Sequence, residues 1–252
     1  MKVIVLSIMS ITALAACATE PETVGEASQA ISYPVDIFYD KFNSLNPGSI
    51  YGQAGWSIGA GTVNACQVVA DSNTDKNLYC SDDGSQNGQG ALHTFQRLPG
   101  HDYHFQFDAW MLGVTQATHG KVFIENYPGD GSNTVFQIAL GCNPVVVPDP
   151  WTGASHLEYH AKIRATFEYH GETQKTLLED VDCTGHYRVA CNWHDGGWQL
   201  RCGASRLPYD PVESTVIDTP EPLGPFSLVR VLGGIGFNRG TTVYDKVQVL
   251  SN

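Results

Sequence analysis

From His156 to His170, apolar and polar residues alternate without a break. Leu157, Tyr159, Ala161, Ile163, Ala165, Phe167 and Tyr169 take the odd positions; His156, Glu158, His160, Lys162, Arg164, Thr166, Glu168 and His170 take the even ones. Successive side chains of a β-strand point to opposite faces, so a period of two predicts one bent strand or two, with one face in a core and one in water. On a helix the same order would scatter both sets around the circumference. Tyr103, Phe105, Phe107, Ala109 and Met111 alternate in the same way with His104, Gln106, Asp108 and Trp110. Shorter strand signals cover 37–42, 121–126, 134–140, 187–193, 198–202, 226–232 and 242–250. Between them stand turn sequences: Asn46-Pro47-Gly48, Pro99-Gly100, Pro128-Gly129-Asp130-Gly131 and Gly233-Gly234. Residues 81–90, rich in Asp, Gly, Ser, Gln and Asn, and 207–225, with five prolines, read as long loops. No stretch reads as a helix of ten residues or more, and no repeat is visible. Many short strands punctuated by Gly and Pro predict an all-β, antiparallel sandwich or barrel.

One hairpin can be placed in register. Gly196-Gly197 suits a two-residue turn, where positive φ costs little. Asp195 then pairs with Trp198, Trp193 with Leu200 and Cys191 with Cys202. Tyr187, Val189, Cys191, Trp193, Trp198, Leu200 and Cys202 share the core face, while Arg188, Asn192, His194, Gln199 and Arg201 share the wet one. A slip by one residue would drive charge into the core.

The N-terminus changes the picture from a domain to an exported chain. Lys2 precedes an apolar run, Val3 to Leu14, too short to span a bilayer and suited to a signal peptide over residues 1–16. The run ends in Leu14-Ala15-Ala16-Cys17, which resembles a bacterial lipobox. That resemblance implies cleavage before Cys17, its diacylation, and, with Ala18 next, sorting to an outer membrane or the cell surface. The alternative is an ordinary signal peptide with Cys17 a stray thiol. Residues 17–34 are then the lipidated cysteine and an acidic, Thr/Glu/Pro/Gly/Ser-rich tether with too little apolar surface to offset the entropy of ordering it. The folded domain runs from 35 to 252.

Charge and cysteines narrow the classes. The net charge is −12 and Lys/Arg form no run, which disfavours a nucleic-acid partner. Besides Cys17 there are six cysteines, Cys66, Cys80, Cys142, Cys183, Cys191 and Cys202. An even number without CxxC or zinc-finger spacing predicts disulfides in an exported protein. The hairpin register pairs Cys191 with Cys202. Cys66 and Cys80, close in sequence, would tie a local loop and leave Cys142 with Cys183, one of 15 ways to join six cysteines.

The segments 40–48 (Asp-Lys-Phe-Asn-Ser-Leu-Asn-Pro-Gly) and 52–56 (Gly-Gln-Ala-Gly-Trp), the hairpin 187–202, Gly234-Ile235-Gly236-Phe237 and 242–249 (Thr-Val-Tyr-Asp-Lys-Val-Gln-Val) resemble the opening, central and closing strands of the concanavalin A-like lectin/glucanase superfamily, in particular LamG-like jelly-roll domains. The resemblance implies a two-sheet antiparallel jelly roll in which the first and last strands pair. It also implies a surface lipoprotein whose lectin-like domain binds carbohydrate or another cell-surface macromolecule. The alternatives are a polysaccharide-cleaving hydrolase or lyase of the same fold, and a structural lipoprotein without ligand.

Catalysis finds little support in the residues. The family's glucanases carry Glu-x-Asp-x-x-Glu on one strand; the nearest acidic run here, Glu179-Asp180-Val181-Asp182, lacks the final Glu. Glu158 and Glu168 lie ~33 Å apart along a strand, too far for a pair. His160 and Arg164 with a tyrosine would suit a lyase, but such residues on a wet face are usually just surface. For binding, His104, Gln106, Asp108 and Trp110 form a polar row carrying one large ring, and Trp151 and Tyr209 fall on Pro-flanked loops, where rings can stack on sugars. Trp110 has two readings, exposed on the row or folded back into the core. Trp56, Trp193 and Trp198 are expected in the core. No cofactor is expected. His156 and His160 stand about 13 Å apart on a strand and cannot chelate one metal ion together; calcium between Asp40 and Asp245 is the one metal the resemblance suggests.

Overall fold

The computed structural model describes residues 35–60, 66–72, 74–82, 90–96, 98–112, 118–125, 136–167, 173–180, 182–211, 215–219, 222–223, 226–233 and 240–252. The expected signal peptide, Cys17, the expected tether and the 234–237 motif lie outside the described residues, as do Glu168 and His170. The strands are β1 (Val35–Asp40), β2 (Gly48–Ser49), β3 (Trp56–Ala60), β4 (Cys66–Ala70), β5 (Lys76–Asp82), β6 (Gly90–Thr94), β7 (Asp102–Leu112), β8 (Thr118–Glu125), β9 (Phe136–Pro148), β10 (Ser155–Phe167), β11 (Thr173–Asp180), β12 (Tyr187–His194), β13 (Gln199–Arg206), β14 (Thr215–Asp218), β15 (Leu228–Leu232) and β16 (Gly240–Ser251). There is no helix among the described residues.

Two antiparallel sheets form a jelly-roll sandwich. Sheet A runs β14-β13-β12-β7-β16-β5-β4-β2, with β1 also on β16; sheet B runs β11-β10-β9-β8-β15-β6-β3. The first and last strands pair, Tyr39 facing Gln248 and Asp40 facing Val247. The alternation seen in the sequence becomes the core. Tyr103, Phe105, Phe107, Ala109 and Met111 of β7 and Ala161, Ile163, Ala165 and Phe167 of β10 are all buried. Trp193 stacks on Tyr103 at 5.2 Å and meets Phe136 and Phe226 edge-on, the offset and T-shaped geometries that aromatic quadrupoles favour.

The 156–170 pattern is one strand as far as Phe167, but its first half leaves the sandwich. Leu157 and Val146, which face each other across β9 and β10, are both exposed. Among the described residues β8 pairs with β9 as far as Cys142, and beyond that point β9 has β10 as its one described neighbour. Pro144 and Pro148 can sit there without breaking a central ladder. The 207–225 stretch is not all loop either: β14 lies in it, paired with β13 from Gln199↔Asp218 to Cys202↔Thr215.

The hairpin register is Trp193↔Leu200 and Cys191↔Cys202, but the turn sits one residue earlier than the Gly-Gly reading. The Gly197 amide donates to the His194 carbonyl at 2.9 Å, and Gly196 takes φ +80°. The shift frees Trp198 from the ladder. It is 57% exposed, not in the core. The turn is fixed from outside, by Gly196 N–H to the Leu223 carbonyl and Leu223 N–H to the Gly197 carbonyl, each 2.7 Å.

Three disulfides close the structure: Cys66–Cys80 between facing residues of β4 and β5, Cys191–Cys202 between facing residues of β12 and β13, and Cys142–Cys183 from β9 of sheet B to the turn that leads into β12 of sheet A.

Candidate functional site

The outward face of sheet A collects the polar row of β7 at the middle of the sheet. β12 and β16 flank β7. Asp108 faces Arg188 on one side and Lys246 on the other, Gln106 faces Ala190 and Gln248, and His104 faces Asn192 and Leu250. His104 Nδ1 lies 2.7 Å from Asn192 Oδ1. Arg188 grips Asp108 with two parallel bonds, Nε to Oδ1 and Nη2 to Oδ2, both 2.8 Å. Such a fork is the strongest geometry a guanidinium offers a carboxylate. It leaves Asp108 only 3% exposed, so this carboxylate serves to hold Arg188 in place. The third nitrogen of Arg188 donates to Asp210 at 2.6 Å. With its amide oxygen toward these cations, Gln106 accepts from Lys246 Nζ at 3.1 Å and Arg188 Nε at 2.9 Å.

Rings border this network. Trp110 lies on the outward face, half-buried, neither free in water nor folded into the core. His186 stacks on it, centroids 4.2 Å apart and 6° from parallel. Tyr209 is 73% exposed in the loop after β13, next to the Asp210 that Arg188 holds. On the opposite side Tyr39 of β1 is 45% exposed, with the ammonium groups of Lys41 and Lys246 at 5.9 and 5.7 Å from its ring centre, within cation–π range.

A β-bulge between Tyr244 and Lys246 sets Asp245 out of the ladder beside this network. Burial, reinforced by the charges of Asp108 and Asp75, raises its proton affinity above the usual carboxylate range, against the pull of Lys41 and His186. Burial likewise lowers the pKa of Lys246, helped by Arg188 and Lys41 and opposed by Asp108 and Asp245. The face thus offers rings, amide and hydroxyl groups and one half-buried carboxylate of raised pKa, with the Arg188 guanidinium already paired.

Of the residues singled out in the sequence, His104, Gln106, Asp108, Trp110 and Tyr209 belong to sheet A or its β13 loop. Trp151 does not. It is 93% exposed at the tip of the β9–β10 hairpin of sheet B, where Asp149 Oδ1 accepts from the Trp151 and Thr152 amides at 2.8 and 3.1 Å. The structure adds Arg188, His186, Lys246 and Tyr39, and brings Asp245, named in the sequence only as a calcium candidate, to this face. The hairpin register already put Arg188 on the wet side, and Tyr39 alternates with Phe38. No signal in the sequence placed β16 and β12 on either side of β7.

The geometry lends the calcium suggestion no support. Asp40 accepts from the Phe42 amide at 2.6 Å and from Trp56 Nε1 at 2.8 Å, one bond on each carboxylate oxygen, and so helps order the loop after β1. Among the described residues no three His, Cys, Asp or Glu side chains are placed to hold one ion.

No protein-family model and no curated protein matches the chain. Solved structures do. The fold is similar to lectin II from Ulex europaeus, at 13% identity over 88% of this chain and 100% of that one, with a TM-score of 0.53. It is also similar to a glycoside hydrolase family 16 endo-glucanase from Bacteroides ovatus, at 9% identity over 84% and 99%, TM-score 0.52. A third is an immunostimulatory antigen and pseudo beta-1,3-glucanase of Mycobacterium tuberculosis, at 14% identity over 86% and 99%, TM-score 0.50. At these identities the likeness establishes the fold, a two-sheet antiparallel jelly-roll sandwich, and nothing about the ligand.

Proposed function

We propose that the chain is an exported, lipid-anchored glycan-binding protein whose domain holds an oligosaccharide on the outward face of sheet A. The observation that carries this is the Trp110–His186 stack beside the Arg188–Asp108–Gln106 network, with Tyr209 and Tyr39 at its borders. A sugar ring needs an aromatic plane for its C–H face and fixed polar groups for its hydroxyls, and pre-paired charges supply the second without having to reorganise. The lectin and glucanase neighbours share the fold alone, so the reading rests on the residues of this face. The test is a glycan array probed with the full chain, followed by titration of each hit into the Trp110→Ala variant. A hit whose affinity does not change removes this face from consideration.

Hydrolysis of the same glycan is the second reading, favoured by Asp245. A half-buried carboxylate whose pKa is raised by burial meets one requirement of a general acid, and it lies beside the face proposed to hold the sugar. Asp245→Asn separates the two: a binding module keeps its affinity, whereas an enzyme keeps affinity and loses turnover.

The anchor rests on Leu14-Ala15-Ala16-Cys17 and agrees with three disulfides, which form and persist outside reducing compartments. Mass spectrometry of the mature chain should find a diacylated N-terminal Cys17, and Cys17→Ser should abolish the modification. An unmodified mature N-terminus at any other residue would sink this part of the reading.

A further inference from the structure

On the opposite side of the molecule, the outward face of sheet B carries a depression of about 230 Å³ between β9, β10 and β11, lined by Asn143, Val145, His160, Lys162, Arg164 and Glu179. Its origin lies in side-chain size. On the β9 side Lys162 faces Gly141 and Arg164 faces Ala139, so little stands beside the two longest side chains of β10 there, while on the β11 side they face Glu179 and Thr176. A register shift between Ile163 and Arg164 opens the β10–β11 side as well.

The charges around the depression are paired with one exception. Lys162 bonds Glu179. Glu158, next along β10, takes His156 on one oxygen at 2.8 Å and His160 on the other at 3.1 Å. These bonds lower the pKa of both carboxylates. Arg164 makes no hydrogen bond or ion pair among the described residues, and only its field reaches Glu179. A guanidinium fork without a carboxylate, beside acceptors on Glu179 and an amide on Asn143, suits an oxyanion whose carrier also offers hydroxyl groups.

We infer that this depression is a second ligand site, which takes a carboxylate-bearing sugar residue. The carboxylate lies on Arg164, ring hydroxyls donate to Glu179 and meet Asn143, and the Val145 side chain lines the apolar side. The volume is below that of a drug-sized pocket and suits a single residue of a longer acidic chain. This site stands apart from the sheet A face and does not rest on the reading given for it.

The experiment is calorimetric titration of the full chain, at fixed ionic strength, with a trigalacturonate, its neutral trigalactose counterpart and inorganic sulfate. Trigalacturonate should bind. Arg164→Gln should weaken it at least tenfold, and Arg164→Lys, which keeps the charge but not the fork, should recover part of the loss. Circular dichroism melting should show both variants folded as the parent is. Equal binding of trigalactose, equal competition by sulfate, or an Arg164→Gln variant that binds as the parent does would each overturn the assignment. If neutral glycans bind and trigalacturonate does not, the sheet B site is refuted while the sheet A reading stands.

Discussion

Trp110 and His186 lie flat against each other, 4.2 Å between ring centres and 6° from parallel. The pair joins β7 to the residue just before β12, so the ring that would meet a sugar is braced by protein on one side. A braced ring loses little rotamer freedom when a ligand arrives, which favours binding.

Trp110→Ala should therefore act twice. Loss of the stack should cost about 1 kcal/mol of stability, seen as a melting point a few degrees lower. Glycan affinity should fall tenfold or more. His186→Ala should show the stability loss with a smaller binding loss, since it removes the brace and leaves the ring. If the two variants bind equally well, the ring does not meet the ligand.

The Arg188 network gives a graded prediction. Asp108 is sealed and Arg188 is 23% exposed; removing one member of a buried pair strands the other charge, at roughly 3–5 kcal/mol when both are fully buried. With Arg188 partly wet, we expect Asp108→Asn to cost about 2–3 kcal/mol in chemical denaturation. Asp210 also bonds Arg188 but is largely exposed, so Asp210→Ala should leave the denaturation midpoint unchanged within error. A large effect at Asp210 would mean that its loop, with Tyr209, is part of the fold and not a free border of the face.

How much of this was legible in the sequence depended on whether one strand or two had to be known. Periodicity within a strand marks its faces, so β7, β10 and β12 show core and wet sides directly. The position of a neighbour from another part of the chain leaves no such trace. Lys246 and Asp108 are 138 residues apart in number and face each other only because β16 runs beside β7. Short strands hide for a related reason: β4 and β14 hold five and four residues, too few for a period to repeat. Trp198 fails differently. Gly196-Gly197 allows two turns, and contacts from Leu223 select the one that frees the tryptophan.

His93 predicts a pH dependence. It stacks on Phe38 at 4.1 Å, meets Trp56 edge-on at 5.5 Å, and places Nε2 2.9 Å from the Ala54 carbonyl. Burial lowers its pKa below the usual histidine range, against the opposing pull of Ala54 and Asp40. Between the ordinary histidine pKa and that lowered value, the unfolded chain binds a proton that the folded chain refuses, so stability falls as pH falls. Chemical denaturation at pH 7 and pH 5 should show a lower midpoint at pH 5. His93→Gln, which cannot titrate, should flatten that slope whatever its cost at pH 7. An unchanged slope would place the pH dependence elsewhere.

The disulfides should differ in worth according to the chain each one closes. Cross-linking restricts the unfolded ensemble, and the loss of loop entropy grows with the logarithm of loop length. Cys191–Cys202 closes 11 residues and Cys142–Cys183 closes 41. On that account, replacing the hairpin pair by alanine should cost about 3 kcal/mol and replacing the long-range pair about 4. The long-range pair also does something the hairpin pair cannot. It fastens the end of β8's contact with β9 in sheet B to the turn entering β12 of sheet A, near the Asp182 that receives Arg206 and Thr184. The hairpin pair only duplicates a register that the ladder from Tyr187↔Arg206 to Trp193↔Leu200 already holds. Loss of Cys142–Cys183 should therefore lower cooperativity as well as the midpoint, visible as a smaller denaturant slope, while loss of Cys191–Cys202 moves the midpoint alone. Equal slopes in the two double-alanine variants would mean that the sheets stay docked without the bridge and that the sandwich core alone makes the domain a single cooperative unit.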